Sequence, residues 1–273
     1  MSCSENNLFA DFTPEENDSS NEVALVSDPG LLRPVNEDAV FALQFKEGKT
    51  LIAVADGMGG HSLGDVASWI AVNTLAAQMI ELLTKDLLQG SEALKKAVAQ
   101  ANEFVLKEAA LTSSDMGTTL TAALLNMDIG SPFVEVASVG DSRAYLISGE
   151  AIHQITRDHS VAAKLAELGR IKPGEVRSHP QVNVLYRVVG ADKCEPDIFT
   201  EVCAPGDLLL LCSDGLWNEL EDEEIRNIVM TSGPLAAACD RLVQAANDRG
   251  GHDNISVVIA RVQKDTKERE EKP

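Results

Sequence analysis

The apolar residues of this chain fall mainly in short runs and not in the strict alternation of half-exposed strands. Such runs occupy residues 51–55, 133–139, 207–212 and 255–259. Runs of this length without alternation predict strands buried on both faces. In the segment 91–110, apolar residues instead recur at steps of three and four, which predicts a helix packed on one face. The pattern therefore predicts a buried sheet covered by helices.

Turn residues and changes of period divide the chain into a definite order of elements. Strands are predicted at 22–27, 39–45, 50–55, 117–126, 132–139, 142–147, 151–155, 197–203, 207–212 and 254–262. Helices are predicted at 62–83, 91–110, 160–168, 222–231 and 234–248, and Ser62 with Asp65 forms a capping box for the first of them. The four strands from 117 to 155 predict an antiparallel meander, and 197–203 and 207–212 predict a strand pair. We expect an α+β fold with packed antiparallel sheets.

Composition changes markedly at the two ends of the chain. Residues 1–20 are rich in polar and acidic side chains, and 263–273 are almost entirely charged. Segments of this kind lack the apolar area needed to join a core. We therefore predict a disordered acidic leader at 1–20, one domain at 21–262 and a charged tail at 263–273. Deleting both ends is expected to leave folding and catalysis almost unchanged.

Charge and cysteine content exclude several classes of function. The chain carries 23 basic and 43 acidic residues, a formal net charge of −20. Nucleic acids and anionic membranes both require a basic face, so neither is an expected partner. The five cysteines are scattered without CxxC spacing, which indicates neither a zinc site nor a disulfide framework. Since the sequence predicts no signal peptide and no membrane span, we expect a cytoplasmic protein.

Five aspartates lie where predicted strands meet loops. They are Asp38, Asp56, Asp141, Asp214 and Asp253. If the strand ends converge, the carboxylates cannot all stay ionised unless cations neutralise them, and oxygen ligands favour Mg²⁺ or Mn²⁺. Each aspartate taken alone is equally compatible with an ordinary turn, and Asp56-Gly57 between apolar residues is also a hairpin signal.

Seven short motifs follow one another in an order typical of one family. They are Arg33 with Asn36-Glu37-Asp38, Asp56-Gly57-Met58-Gly59-Gly60-His61, Met116-Gly117-Thr118-Thr119, Gly140-Asp141-Ser142-Arg143, Thr156-Arg157-Asp158-His159-Ser160, Ser213-Asp214-Gly215-Leu216 and Asp253-Asn254. Together they resemble the bacterial branch of the metal-dependent serine/threonine protein phosphatases of type 2C, over about residues 21–262. The resemblance implies a four-layer αββα sandwich, two packed sheets flanked by helix pairs, with a metal site at one end.

The resemblance also implies roles for the metal-binding residues. Asp56 would bridge two Mn²⁺ or Mg²⁺ ions, and the Gly57 carbonyl would bind one of them. Asp214 and Asp253 would hold the other ion. Asp38, with Glu37 beside it, would act at the metal edge through bound water. Asp141 would help to hold a weaker third ion.

Further roles concern the substrate and the proton donor. Arg33 would bind the phosphate, because its planar fork suits phosphate oxygens. Asn254 would orient Asp253, and Arg143 is expected to be structural. The animal branch has a histidine where this chain has Met58, so the general acid stays open between His61 and metal-bound water.

The implied activity is hydrolysis of phosphoserine and phosphothreonine in proteins by a water or hydroxide bridging two metal ions. The expected partners are phosphoprotein substrates and a cognate bacterial Ser/Thr kinase, and the chain is expected to be a monomer. The irregular segment 169–189 resembles the family's flap, and its basic residues, Arg170 and Arg177 among them, are expected to contact protein substrates. Two alternatives remain open at this point, a phosphatase-like binding module and a hydrolase of small phosphate esters.

Overall fold

The computed structural model describes residues 22–45, 48–59, 63–127 and 132–263. The predicted leader, nearly all of the predicted tail, Ser62 and His61 lie outside these residues. Eleven strands and six α-helices are described, and Pro173–Glu175 form a 3-10 turn. The strands are β1 Glu22–Asp28, β2 Asp38–Gln44, β3 Thr50–Met58, β4 Gly117–Thr118, β5 Leu120–Asn126, β6 Phe133–Val139, β7 Arg143–Ser148, β8 Ala151–Gln154, β9 Asp197–Val202, β10 Leu208–Cys212 and β11 Ile255–Arg261. The helices are α1 Gly64–Thr84, α2 Gly90–Thr112, α3 Val161–Glu167, α4 Asp214–Trp217, α5 Asp222–Thr231 and α6 Leu235–Asn247.

Two antiparallel sheets form the centre of the molecule. The first has the strand order β1-β11-β10-β7-β8, and the second has the order β2-β3-β5-β6-β9 with β4 paired to β3. Helices α1 and α2 pack on the second sheet, and α5 and α6 pack on the first. The four-layer αββα sandwich that the sequence predicts is confirmed.

Each unbroken apolar run belongs to a strand that contributes to two core layers. In β3, Leu51 and Ala53 face the helices, while Ile52 and Val54 face the other sheet. In β10, Leu210 packs towards α5 and α6, and its neighbours pack between the sheets. Because successive side chains of a strand point to opposite faces, both faces must be apolar where both are covered. The runs therefore follow directly from the layered packing.

The chain crosses between the sheets at two places where the sequence predicts neighbouring strands. Strand β6 belongs to the second sheet and β7 to the first, so the predicted meander from 117 to 155 is wrong at Gly140–Ser142. The predicted pair at 197–203 and 207–212 is also wrong, because β9 pairs with β6 and β10 pairs with β7 and β11. Strands buried on both faces carry no alternation that distinguishes one sheet from the other. The first crossover places Asp141 at the edge between the sheets.

The start of α1 differs from the predicted capping box. The helix begins at Gly64 with Leu63 in the N-cap position and no side-chain cap. The carboxylate of Glu37, which precedes β2, instead accepts a hydrogen bond from the Gly64 amide. A carboxylate at this end of a helix is favoured by the helix dipole. The helix is therefore capped from a distant segment.

The prediction that no segment could span a membrane needs one correction. Helix α1 is long and apolar enough to cross a bilayer by length and composition, and it is the one such helix in the described part of the chain. About 44% of its most apolar window is buried inside the molecule. Its buried residues belong to the core that α1 shares with α2 and the second sheet. Packing in this core accounts for the apolar residues on the buried face of α1.

Candidate active site

The register of the strands brings the five aspartates to one end of the sandwich. Asp38 opens β2 and stands directly opposite Asp56 of β3. Asp214 follows the end of β10, and Asp253 precedes β11, which is the antiparallel neighbour of β10. Asp141 lies in the crossover just before β7, which also pairs with β10. Residues far apart in sequence are therefore neighbours because their strands start or stop at the same edge.

A cavity of about 220 Å³ opens at this end. Its acidic lining consists of Glu37, Asp56, Asp141, Asp214 and Asp253. Arg33 is the one cationic residue in the described part of this lining. Asp38 lies beside the others, and one of its carboxylate oxygens accepts a hydrogen bond of 2.7 Å from the Ser213 hydroxyl. The predicted convergence of carboxylates is thus observed.

Burial and mutual repulsion raise the pKa values of these carboxyl groups. Burial, with weaker repulsion from Asp214 and Asp253, raises the pKa of Asp38 to about 7. Burial and the charge of Asp253 raise the pKa of Asp214 to about 6. Burial first, and neighbouring carboxylates second, hold the pKa values of Asp56 and Asp141 well above the usual range. Without a cation, the protein disfavours full ionisation of this cluster.

Gly57 allows two backbone segments to meet beside Asp56. A Cβ at this position would lie 2.1 Å from the Gly64 carbonyl oxygen and 2.5 Å from that of Glu37. The Gly57 amide donates to the same Glu37 oxygen at 3.1 Å. Any side chain here would therefore push the α1 terminus away from the start of β2. The Asp56-Gly57 pair does not form a hairpin turn, because β3 continues to Met58.

The side chain of Asn254 holds the loop that carries Arg33. Its amide nitrogen donates to the carbonyl oxygens of Pro29 and Val35, each at 3.0 Å, and its amide oxygen accepts from the Glu37 amide at 2.8 Å. Arg33 is half exposed, and its Nη2 lies 2.7 Å from Asp253 Oδ2. The backbone amide of Asn254 also donates to Asp253 Oδ1 at 2.9 Å, so Asn254 contacts Asp253 as well as the loop, and its role in orienting Asp253 stays a prediction.

Two threonines, to which the sequence assigned no role, hold Asp56 and link it to the Asp141 loop. The Asp56 amide donates to Thr119 Oγ1 at 2.9 Å, and Thr118 Oγ1 donates to the Asp56 carbonyl at 2.8 Å. Thr119 Oγ1 also lies 2.7 Å from the Ser142 hydroxyl. Both threonines are buried. Both threonines belong to the motif at 116–119, but the sequence of that motif does not show which residues they contact.

The Asp141 loop is fixed by buried side chains on its far side. Trp217 Nε1 donates to the Asp141 carbonyl oxygen at 3.0 Å. Arg143 stacks 3.6 Å from the centroid of the Trp217 ring and forms a buried ion pair with Asp158. The Gly140 amide donates to His159 Nδ1 at 3.0 Å. Arg143 therefore has the structural environment expected from the sequence.

The segment 169–189 lies beside the cavity, which Asn183 and Leu185 help to line. Two of its basic residues are not free to contact substrates, contrary to expectation. Arg177 donates to the carbonyl oxygens of Trp217 and Leu220 and pairs with Asp222 at 2.6 Å. Arg187 Nη1 lies 2.6 Å from an Asp197 carboxylate oxygen. Arg170 is exposed. Pairing across the fold depends on long-range contacts, which the local sequence does not show.

The chemistry of the cluster fits hard divalent cations. Among the described residues, no three acidic, histidine or cysteine side chains already converge in ligating geometry. However, Asp38 Oδ1 and Asp214 Oδ1 are buried without a hydrogen-bond partner. Unpaired buried carboxylate oxygens are costly, and a cation would satisfy them. All the donors are oxygens, the set that Mg²⁺ and Mn²⁺ prefer.

The αββα fold with an acidic cavity at one end is shared with a class of phosphatases, and comparison with known proteins identifies the family. A family model described as protein phosphatase 2C matches residues 34–259. A serine/threonine phosphatase stp from Listeria monocytogenes is 38% identical over 239 residues, covering 85% of this chain and 92% of that protein. The chain therefore belongs to the protein phosphatase 2C family, and the prediction of an enzyme is confirmed.

Solved structures agree with this assignment. The Mycobacterium tuberculosis serine/threonine phosphatase PstP/Ppp superposes with a TM-score of 0.79 at 35% identity, covering 89% of this chain and 99% of that one. The catalytic domain of PstP in complex with two manganese ions gives a TM-score of 0.75 at 34% identity, covering 89% and 98% of the two chains. The bacterial branch expected from the motifs matches these relatives.

Proposed function

We propose that this chain hydrolyses phosphoserine and phosphothreonine in proteins with the help of two Mn²⁺ or Mg²⁺ ions. The observation that carries the proposal is the cavity of converging carboxylates with one lining arginine. Its relatives are serine/threonine phosphatases, and one of them was solved with two manganese ions. Two divalent ions, when bound, lower the pKa of water and stabilise the charge of an in-line displacement.

The chain's own residues divide this work between metal binding and substrate binding. Asp56 and the Gly57 carbonyl would hold one ion, and Asp56, Asp214 and Asp253 would hold the other. Asp141 would contribute to a weaker third site. Because Asp56 would be a ligand of both ions, its loss should damage both main sites.

Arg33 would bind the phosphate of the substrate, and Asp38 would act at the edge of the metal site through bound water. Arg33 is half exposed at the cavity and can turn its guanidinium towards phosphoryl oxygens. Asp38 Oδ1 is buried and unpartnered, and the pKa of its carboxyl group is raised to about 7. That pKa describes the metal-free cluster, and bound cations would favour the ionised carboxylate. His61 lies outside the described residues and stays a prediction as a general acid.

The cellular setting is also part of the proposal. A bacterial phosphatase of this kind would reverse a Ser/Thr kinase acting on the same substrates. We propose a cytoplasmic monomer, which agrees with the acidic net charge of −20 and with the burial of α1 in the core. Gel filtration with light scattering would test the monomer.

Purified protein assayed on a phosphothreonine peptide with Mn²⁺ tests the proposed function. Turnover is expected with Mn²⁺ or Mg²⁺ and none in excess EDTA. Asp56→Ala should reduce kcat/KM by more than about 100-fold, because loss of a direct ligand should exceed the 10–100-fold effect of supporting residues. Asp115→Ala, at an exposed aspartate, is the matched control. Turnover in EDTA, or a near-normal Asp56→Ala variant, would refute the mechanism.

A further inference from the structure

The loop that carries Arg33 exposes three large apolar side chains within five residues. Leu31, Leu32 and Val35 are 64%, 66% and 49% exposed, and we call these three residues the apolar rim. Single exposed apolar residues are ordinary on protein surfaces. A cluster of them beside a functional cavity instead marks a binding surface. The apolar rim is such a cluster, because Arg33 lies between its members in sequence and lines the cavity.

The backbone of the apolar rim is fixed at several points. The amides of Leu31 and Leu32 donate to the Gly251 carbonyl oxygen at 2.9 and 3.3 Å. The Val35 carbonyl accepts from Asn254 Nδ2 at 3.0 Å. The conformation that exposes these side chains is therefore held by bonds to the segment around Asp253. A preorganised apolar surface binds a partner at a lower entropic cost than a loop that must first be ordered.

The lining of the cavity also includes apolar side chains. Met58 and Leu185 line the cavity together with Asn183, whose side chain can hydrogen-bond a peptide backbone. The other charged residues in the described lining are carboxylates, Glu37 and Asp253 among them. Acidic neighbours of a phosphorylated residue would be repelled by Glu37 and by the net charge of −20, whereas apolar neighbours would gain burial. The surroundings therefore favour apolar neighbours.

We propose that the apolar rim binds apolar side chains adjacent to the phosphorylated residue and gives the enzyme a preference for such phosphosites. The proposal rests on the proposed function and names the substrate class of the same site. Its occupant is a segment of a phosphoprotein substrate, because the same five-residue loop carries the rim and Arg33, which lines the cavity that would receive the phosphorylated side chain. A small aryl phosphate would reach the cavity but would have no flanking residues for the rim to bind.

Two phosphothreonine peptides of equal charge test the preference with the full-length protein and Mn²⁺. One peptide carries Leu or Val on both sides of the phosphothreonine, and the other carries Ser or Asn. Wild type should show about tenfold higher kcat/KM on the apolar peptide, within the range typical of apolar pocket discrimination. In Leu31→Ser/Leu32→Ser and in Leu32→Ser alone, this ratio should fall towards one. Hydrolysis of an aryl phosphate should change less than about twofold.

The control is Leu111→Ser, at a leucine that is 71% exposed near the end of α2. It should keep the wild-type ratio between the two peptides. A wild-type ratio near one, or a ratio unchanged in both rim variants, would overturn the proposal. A dimer in solution that the rim variants lose would assign the surface to a second copy and would also overturn it. If wild type hydrolyses neither peptide, the proposed function itself fails.

Discussion

At the scale of single residues, the site depends on side chains that never face the cavity as well as on the carboxylates that do. The five aspartates were predictable because each lies within two residues of a strand terminus, and strand termini converge at the ends of a sandwich. Thr118, Thr119 and the cavity-lining Asn183 were not predictable as site residues, since their roles arise from contacts between distant segments. A single sequence shows where a strand stops but not what lies opposite.

Substitution of Asn254 tests whether side chains outside the cavity support the site. Asn254→Ala removes the three hydrogen bonds that hold the Arg33 loop but keeps the backbone amide that contacts Asp253. We expect KM and the inhibition constant for inorganic phosphate to rise about tenfold, the effect typical of a supporting residue. Mn²⁺ affinity, measured by calorimetry, should change little. The result shows whether the loop and the metal ligands are separable.

A double-mutant cycle distinguishes two roles of Asn254: positioning Arg33, or acting on phosphate binding directly. If Asn254 acts through Arg33, Asn254→Ala should add almost nothing to the loss of phosphate binding already caused by Arg33→Ala. Fully additive losses would contradict this role, and so would a large loss of Mn²⁺ affinity in Asn254→Ala.

At the scale of elements, the sequence predicts most strands and helices but not how the chain crosses between sheets. The predicted bounds of α5 and α6, 222–231 and 234–248, agree closely with the observed helices Asp222–Thr231 and Leu235–Asn247. Strands β6 and β7 are both buried, so their patterns do not show that they belong to different sheets. That crossover creates the Asp141 loop. The crossover, which the local sequence pattern cannot predict, thus builds part of the site.

The position of the segment 169–189 also depends on contacts with residues that are distant in sequence. Arg177 anchors it to the carbonyl groups of Trp217 and Leu220 and to Asp222. Arg177→Ala leaves these partly buried groups unpaired, at a cost of about 2 kcal/mol. For a domain of this size, we expect Tm to fall by about 5 °C. Limited proteolysis should cut the segment 169–189 faster than in wild type.

Arg170→Ala is the matched control, since Arg170 is an exposed arginine in the same segment. Its Tm and its rate of proteolysis should equal those of wild type. Equal changes in Tm and proteolysis in both variants would show that the positive charge of the segment matters and that the contacts of Arg177 do not. An unchanged Tm and proteolysis rate in Arg177→Ala would also contradict the anchor.

At the scale of the whole molecule, the apolar layers hold together a cluster of charges that opposes folding. Three core layers, one under each helix pair and one between the sheets, fix the strand ends around the cavity. The same burial raises the pKa of Asp38 from 3.8 to about 7. Functional sites commonly lower stability in this way, and the rest of the fold compensates. The stability of the metal-free protein should therefore depend on pH in a direction set by the site.

The sign of that dependence follows from proton uptake. Between pH 4 and pH 7, the folded state holds a proton on Asp38 that the unfolded chain has released, so raising the pH destabilises the folded state. One pKa unit corresponds to about 1.4 kcal/mol, so the loss is on the order of a few kcal/mol. Burial lowers the pKa of His159, which acts in the opposite direction over part of this range. A net fall in stability as pH rises would therefore show that the carboxyl groups outweigh His159.

Thermal unfolding in EDTA from pH 5 to pH 7.5 measures this effect. We expect Tm to decrease as pH rises, and saturating Mn²⁺ to abolish the decrease, because bound cations replace the protons. Asp38→Asn is a matched control of the same shape, and it should have a flatter profile in EDTA because the titrating carboxyl group is gone. A Tm that rises with pH in EDTA in the wild-type protein would show that these carboxylates are ionised in the metal-free fold. The folded state would then lack the protonated carboxyl groups that the expected pH dependence requires.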